Sequence, residues 1–299
     1  GEAAYERGDY QQAYEIWLPA AKNGDPPSQA GLGLLFHFGL GVLKDEIEAI
    51  KWYQLAVEEN DFRALLLLAA LYEAQGRYAE AEPLFKRSIV TMEETLDPNH
   101  SDLATGLNHL GLLYYVQGKY ADAEPLFKRA LLIREKTLGP DHPDVARSLN
   151  NLGLLYKTLG HYADAEPLYQ QALLIWDRIM GKSSLESATA LNNLGTLYQV
   201  QGLFADAEEN FKRSLVISEK FLGIDHPEVA TNLSNLGEFY RSQGRYSDAE
   251  EVFKKALLIR KKIHGSEHAE VAKILNNLAL AYHGQASYTD AELLFKQSL

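Results

Sequence analysis

The chain has 299 residues, a net charge of −12 and no cysteine. The missing cysteine excludes disulfides, thiolate metal sites and cysteine nucleophiles; the acidic balance, without a lysine or arginine cluster, removes the counterion release on which nucleic-acid affinity rests. The apolar share of 46% fits an ordered protein, and the longest apolar stretches, such as Ala64–Tyr72, fall far short of the ~20 residues a membrane span needs.

Residues 1–60 hold ten acids against four bases, half of the net excess in one fifth of the chain. Ala13, Trp17 and Ala20 recur as Ala49, Tyr53 and Ala56, a step of 36, and Gly39-Leu40-Gly41-Val42 reads as an inserted turn between helices. No proline-rich or Ser/Gly-rich linker follows. The next helix begins almost at once, so this block is expected to stack continuously on what comes after it.

From residue 61 the chain repeats every 42 residues. Tyr72, Tyr114, Tyr156, Tyr198, Tyr240 and Tyr282 form one column; Gly76, Gly118, Gly160, Gly202 and Gly244 form another; Phe85, Phe127, Tyr169, Phe211, Phe253 and Phe295 form a third. Such self-similarity is the mark of a solenoid, whose units bury their apolar faces only against their neighbours. Within one unit, Leu149, Leu152, Gly153 and Tyr156 stand at i, i+3, i+4 and i+7, one stripe of a helix A. After Gly160 a second stripe, Tyr162, Ala165, Tyr169, Ala172 and Leu173, marks a helix B. Each unit is therefore an antiparallel helical hairpin. Asn99 with Asp102, Asp141 with Asp144, Ser183 with Glu186 and Asp225 with Glu228 place a capping side chain three residues before an acid, which predicts capping boxes at the starts of the A helices, with Pro143 and Pro227 in the first turn. Gly1 opens inside a repeat and Leu299 stops inside one, so the sequence is expected to continue at both ends.

These columns resemble the tetratricopeptide repeat, in a long form. Leu-Asn-Asn-Leu at 149–152 and 191–194, Ala-Glu-Pro-Leu at 123–126 and 165–168, and Leu-Gly-x-Asp-His-Pro at 138–143 and 222–227 are similar to the kinesin light chain array. Leu32-Gly33-Leu34, Gly39-x-Gly41-Val42, Lys44-Asp45, Ala49, Trp52-Tyr53 and Ala56 resemble the Sel-like repeat. The resemblance implies an all-α fold, a right-handed α-α superhelix (solenoid) with Sel-like hairpins over 1–60 and six tetratricopeptide repeats over 61–299. It also implies a protein-interaction scaffold. The opening Ala4-Tyr5-Glu6-Arg7-Gly8-Asp9-Tyr10 resembles bacterial Sel-like proteins in which an export signal often precedes it, which leaves cytoplasm and a periplasmic or secreted home both open.

No catalytic constellation, phosphate loop or nucleophile elbow is present, and neither a cofactor nor a metal is expected. His100, His142, His226 and His268 share one register, but copies a repeat apart, ~10 Å between packed helices, cannot share a metal with bonds of ~2 Å. They read as loop packing. The informative polar column is Asn151, Asn193, Asn235 and Asn277, which lies opposite the core stripe of helix A and so lines the inner groove of a hairpin solenoid. A carboxamide carries donor and acceptor, so such a ladder can satisfy the backbone of an extended peptide whatever its side chains; in peptide-binding relatives, the resemblance implies, the matching position touches ligand. The alternative is that these asparagines bond one another or cap nearby backbone and so stitch adjacent repeats, a reading that fits better the other column, Asn108, Asn150, Asn192 and Asn276, which lies about 90° around the helix.

Thr189 and Thr231 precede their ladder asparagines by one turn. Arg63, Arg147 and Lys273 hold the same position, Lys157 and Arg241 stand near the rim, and Glu238 is the opposing acid. A mildly basic groove favours a ligand with acidic residues or a free carboxylate; alternatively those bases merely offset local acids, as most surface charges do. Leu112, Leu154, Thr196, Glu238 and Leu280 occupy the place where chaperone-type carboxylate clamps carry a second asparagine, which argues against that clamp. One unit departs from its siblings: Lys182-Ser183-Ser184-Leu185 replaces the Asp-His-Pro entry, and Trp176 stands in the column of Met92, Arg134, Ser218 and Arg260. Trp176 reads either as filling space or as a rim anchor for a partner. The expected function is a scaffold that binds an extended peptide segment at about micromolar affinity. The alternatives are an assembly module using its convex face or ends, including self-association, and a sensor module of a larger regulatory protein.

Overall fold

A computed structural model describes residues 1–298; Leu299, the last position of the expected sixth repeat, lies outside them. The described residues form sixteen α-helices and no strand. They divide into two compact units, residues 1–151 and 152–299. The first holds α1 (Glu2–Glu6), α2 (Tyr10–Lys22), α3 (Pro26–Phe38), α4 (Glu46–Glu58), α5 (Phe62–Ala74), α6 (Tyr78–Thr95), α7 (Ser101–Val116) and α8 (Tyr120–Leu138). The division falls inside α9 (Pro143–Thr158). The second unit continues with α10 (Tyr162–Met180), α11 (Leu185–Gln201), α12 (Phe204–Leu222), α13 (Pro227–Ser242), α14 (Tyr246–His264), α15 (Ala269–Gly284) and α16 (Tyr288–Gln297).

Each hairpin closes in the way its sequence dictates. At the end of α5, Gly76 takes φ of 72°, a left-handed conformation that costs glycine little. Arg77 N–H can then reach the carbonyl of Tyr72 at 2.8 Å, and the same bond joins Arg245 to Tyr240 at 2.9 Å. The tyrosine column thus marks the last carbonyl that each turn satisfies. In the sixth hairpin Ala286 occupies the glycine position with φ of 60°, so the turn is kept at the cost of strain.

Packing within a hairpin rests on small residues facing rings. Phe85, Phe127, Phe211 and Phe253 are fully buried. A Cβ built on Gly237 would lie 2.6 Å from the Phe253 ring, so the glycine is what lets α13 and α14 approach. In the first unit Ala49, Tyr53 and Ala56 of the N-terminal block share one core with Ala64, Leu68 and Phe85. In the second, Phe211, Leu233, Phe239 and Phe253 belong to one core.

Successive A helices touch: α3 meets α5 and α5 meets α7 in the first unit, and α11 meets α13 and α13 meets α15 in the second. Among the described residues no comparable contact joins successive B helices within a unit. Closer spacing on the A side curves each unit with its A helices inside. The exposed positions of the A helices therefore line its concave face.

The helix starts correct one expectation. The residue that caps α7 is His100 rather than Asn99: its Nδ1 accepts from the N–H of Asp102 at 3.2 Å. His142, His226 and His268 do the same toward Asp144, Glu228 and Glu270 at 3.1–3.2 Å. In the departing unit Ser184, not Ser183, caps α11 by accepting from Ser187 N–H at 3.1 Å. The histidine register, expected as loop packing, thus serves as the helix caps. It supplies a ring nitrogen two residues ahead of an orphan N–H, a reach that lets proline follow in the first turn. Among the described residues no group of three or more His, Asp or Glu could hold a metal ion.

Candidate functional site

On the concave face of the first unit, cations are matched. Arg63 pairs with Glu2 at 2.9 Å and Arg147 with Asp144 at 3.2 Å. His109, which holds the ladder register ahead of Asn151, meets Glu73 at 3.2 Å. Asn151 donates from Nδ2 to Oδ1 of Asn108 at 2.9 Å. Beside Arg63, Tyr5, Trp17, Ala30, Leu34 and Leu67 line a small apolar pocket.

The second unit presents a different face. Asn235 donates to Asn192 at 3.1 Å, repeating the pairing of Asn151 with Asn108. The two asparagine columns, which the sequence separates into ligand-facing and stitching roles, therefore bond to each other across successive A helices. Asn151 and Asn235 each spend one N–H in this way and keep further donor and acceptor capacity. Asn193 is half-buried. Asn277 departs from the expected pattern: it is only 8% exposed and donates to Glu238 at 2.9 Å, so it is held inside the packing. Thr189 and Thr231 are exposed, their hydroxyls bonded to Leu185 and Pro227 carbonyls, and Arg260 reaches Thr231 at 2.7 Å. Lys273 is exposed.

Lys157 and Arg241, expected near the rim, are both half-buried. Lys157 Nζ donates to the Thr196 hydroxyl at 2.9 Å, and burial pulls its pKa below the ordinary lysine range. Arg241 Nε is buried without a hydrogen-bond acceptor. Among the described residues neither cation meets a carboxylate. A buried donor left unmatched is expensive, and a charged one more so. The concave face of the second unit thus carries two half-buried cations in one register, Lys157 and Arg241, with Gln199 between them in sequence.

Trp176 does not anchor a partner. It is 3% exposed, buried in the register that Arg134 fills in the first unit. Arg134, 4% exposed, donates to Ser148 Oγ at 2.8 Å and to the Asp144 carbonyl at 3.3 Å, and burial lowers its pKa. Register alone could not distinguish a buried guanidinium from a buried indole or a surface residue, because the column mixes Met, Arg, Trp and Ser.

Comparison with known proteins follows the same lines as the geometry. The tetratricopeptide repeat matches residues 61–115, 102–178, 186–257 and 229–299, with a second match over 150–220, and the Sel1 repeat matches 1–25 and 26–61. The chain belongs to the tetratricopeptide-repeat family and carries Sel1 repeats as well. No curated relative matches it. Among solved structures it is similar to BtubC (BKLC) from P. vanneervenii, 24% identical over 85% of this chain and 94% of that one, with a TM-score of 0.58. It is also similar to a putative kinesin light chain of Podosopora anserina, 23% identical over 68% and 96%, TM-score 0.57. The apo form of RapI matches at 18% identity over 92% and 96%, TM-score 0.68. At these identities the likeness shows the fold. Repeats of this kind generally mediate protein–protein interaction, and no catalytic family is indicated. No helix among the described residues is long and apolar enough to cross a membrane.

Proposed function

We propose that the concave face of the second unit binds an extended segment of a partner protein through the carboxamides of Asn193 and Asn235 and the cations Lys157 and Arg241, and that the segment carries acidic side chains or a free carboxylate. The observation that carries this reading is the unmatched pair of cations. A ligand carboxylate reaching Lys157 or Arg241 would supply the counter-charge that the protein itself does not, and a charge-assisted bond in a partly desolvated place is stronger than one at the surface. The asparagines would hold the ligand backbone, as in other extended-peptide modes where main-chain bonds give affinity and pockets give preference. In the first unit Asn151 offers the same carboxamide, but Arg147 and Arg63 already have partners.

Random peptides displayed on phage and selected on the whole protein test this. The selected sequences are expected to be rich in Asp and Glu or to depend on a free C-terminus, and Lys157→Gln with Arg241→Gln is expected to weaken them by about tenfold or more without loss of helicity. Selected peptides without carboxylates, or binding indifferent to that double substitution, would overturn the reading.

A further inference from the structure

Repeats act as internal controls, because one register recurs with different residues. In the loop after α12, Asp225 pairs with Lys262 of α14 at 2.5 Å. In the loop after α10 the corresponding residue is Ser183, preceded by Lys182. Lys220, in the register of Lys262, receives no carboxylate from that loop, since residues 181–184 contain none. Packing accounts for part of this departure: Trp176 is buried, Ser184 caps α11, and Ser187 Oγ donates to Asp177 at 2.7 Å. It does not account for Lys182 and Ser183, whose side chains make no hydrogen bond or ion pair among the described residues.

Lys182 and Ser183 line a surface pocket of about 300 Å³ together with Lys212, Arg213, Val216 and Ile217 of α12. Its lining holds three cations and no acid. The matching pocket of the first tetratricopeptide hairpin, beside Val90, includes Glu94, and its Arg87 is occupied by the Asn60 side chain and the Val57 carbonyl. Lys212 and Arg213 lean on Glu208 and Glu209 of their own helix at 2.7 and 4.0 Å; both cations are themselves exposed, and the long, exposed Arg213 pair is weak enough to exchange with an incoming carboxylate. Apolar surface adjoins the cations: Val216, in the same lining, is 62% exposed. Basic and apolar groups concentrated on one place of an acidic chain define a complementary ligand rather than a solvated face.

We infer that this outer edge of the second unit is a second docking site, separate from the concave face, for an acidic partner segment with an aliphatic or aromatic residue between its carboxylates. The carboxylates answer Lys182, Lys212 and Arg213, and the apolar side chain covers Val216.

The test is a fluorescence-anisotropy titration at low salt of the whole protein carrying Lys157→Gln and Arg241→Gln, so that the concave cations take no part, with three labelled peptides, Glu-Glu-Leu-Phe-Glu-Glu, Gln-Gln-Leu-Phe-Gln-Gln and Glu-Glu-Ser-Gly-Glu-Glu. The first is expected to bind at least about tenfold tighter than either control. Lys182→Pro with Ser183→Asp installs the residues found at Pro140 and Asp141 in a sibling loop, and is expected to erase that preference. Equal binding of the three peptides, or a preference that survives the loop substitution, would overturn the inference.

Discussion

The two units are built from the same hairpin, yet they treat charge on their concave faces in opposite ways. In the first, Arg63 and Arg147 are matched by Glu2 and Asp144. In the second, Lys157 finds only a hydroxyl and Arg241 Nε finds no acceptor. Since the fold is common to both, the difference is carried by side chains that the solenoid does not need. A scaffold stabilised by nearest-neighbour packing can leave charges unmatched on one face without losing its structure, and unmatched charge is where a ligand gains most.

The largest test of this comparison concerns the register shared by Arg134 and Trp176. Trp176→Ala removes a buried indole from the second unit and is expected to cost about 3–5 kcal/mol, read as a lowered denaturation midpoint. Arg134→Met replaces a buried, hydrogen-bonded guanidinium with an apolar chain of similar length, and buried charges recover little beyond their desolvation cost. A change within about 1 kcal/mol is expected there. If Arg134→Met proved as damaging as Trp176→Ala, polar burial in the first unit would have to be structural in its own right.

Next in size is the asparagine stitching. Asn151 donates to Asn108, which is 5% exposed, whereas Asn235 donates to Asn192, which is half-buried. Asn151→Ala strands a buried carbonyl and is expected to cost about 1–2 kcal/mol, while Asn235→Ala is expected to cost about half of that, because water can reach Asn192. Urea unfolding of the two variants would order them. The reverse order would mean that the second unit depends on its ladder more than its exposure allows.

The hairpins, the A and B stripes and the 42-residue step were legible in the sequence because each repeat meets only its neighbours, so local periodicity and global contact coincide. What escaped was set by side-chain reach. Asn99, Asp141 and Asp225 satisfy the spacing of a capping box, yet a histidine one residue later holds the N–H through a ring nitrogen. The asparagine columns were correctly placed on the A helices, but no spacing rule tells that Asn235 turns to Asn192 or that Asn277 turns to Glu238. Lys157 and Arg241 were legible as groove cations, while their burial depends on neighbours a repeat away. Trp176 was legible as exceptional, and only packing shows that it is core.

The smallest effect carries the opposite sign. Lys157 has a pKa lowered by burial, which means that its charged form is held against a desolvation penalty in the folded state. Lys157→Met removes that penalty and is expected to raise stability by up to about 1 kcal/mol while weakening an acidic ligand. The pH dependence follows the same sign: below lysine's ordinary value of 10.5 the unfolded chain holds this proton more tightly than the folded one. Stability from this residue therefore rises with pH through the lowered folded pKa. Buried tyrosines such as Tyr240, whose pKa is raised by burial, work in the other direction at alkaline pH, so the informative quantity is the difference between wild type and Lys157→Met. That difference is expected to shrink as pH rises toward the ordinary lysine value. A gap that stayed constant with pH would mean that Lys157 matters by its shape, and the contrast between the two concave faces would then not be one of charge.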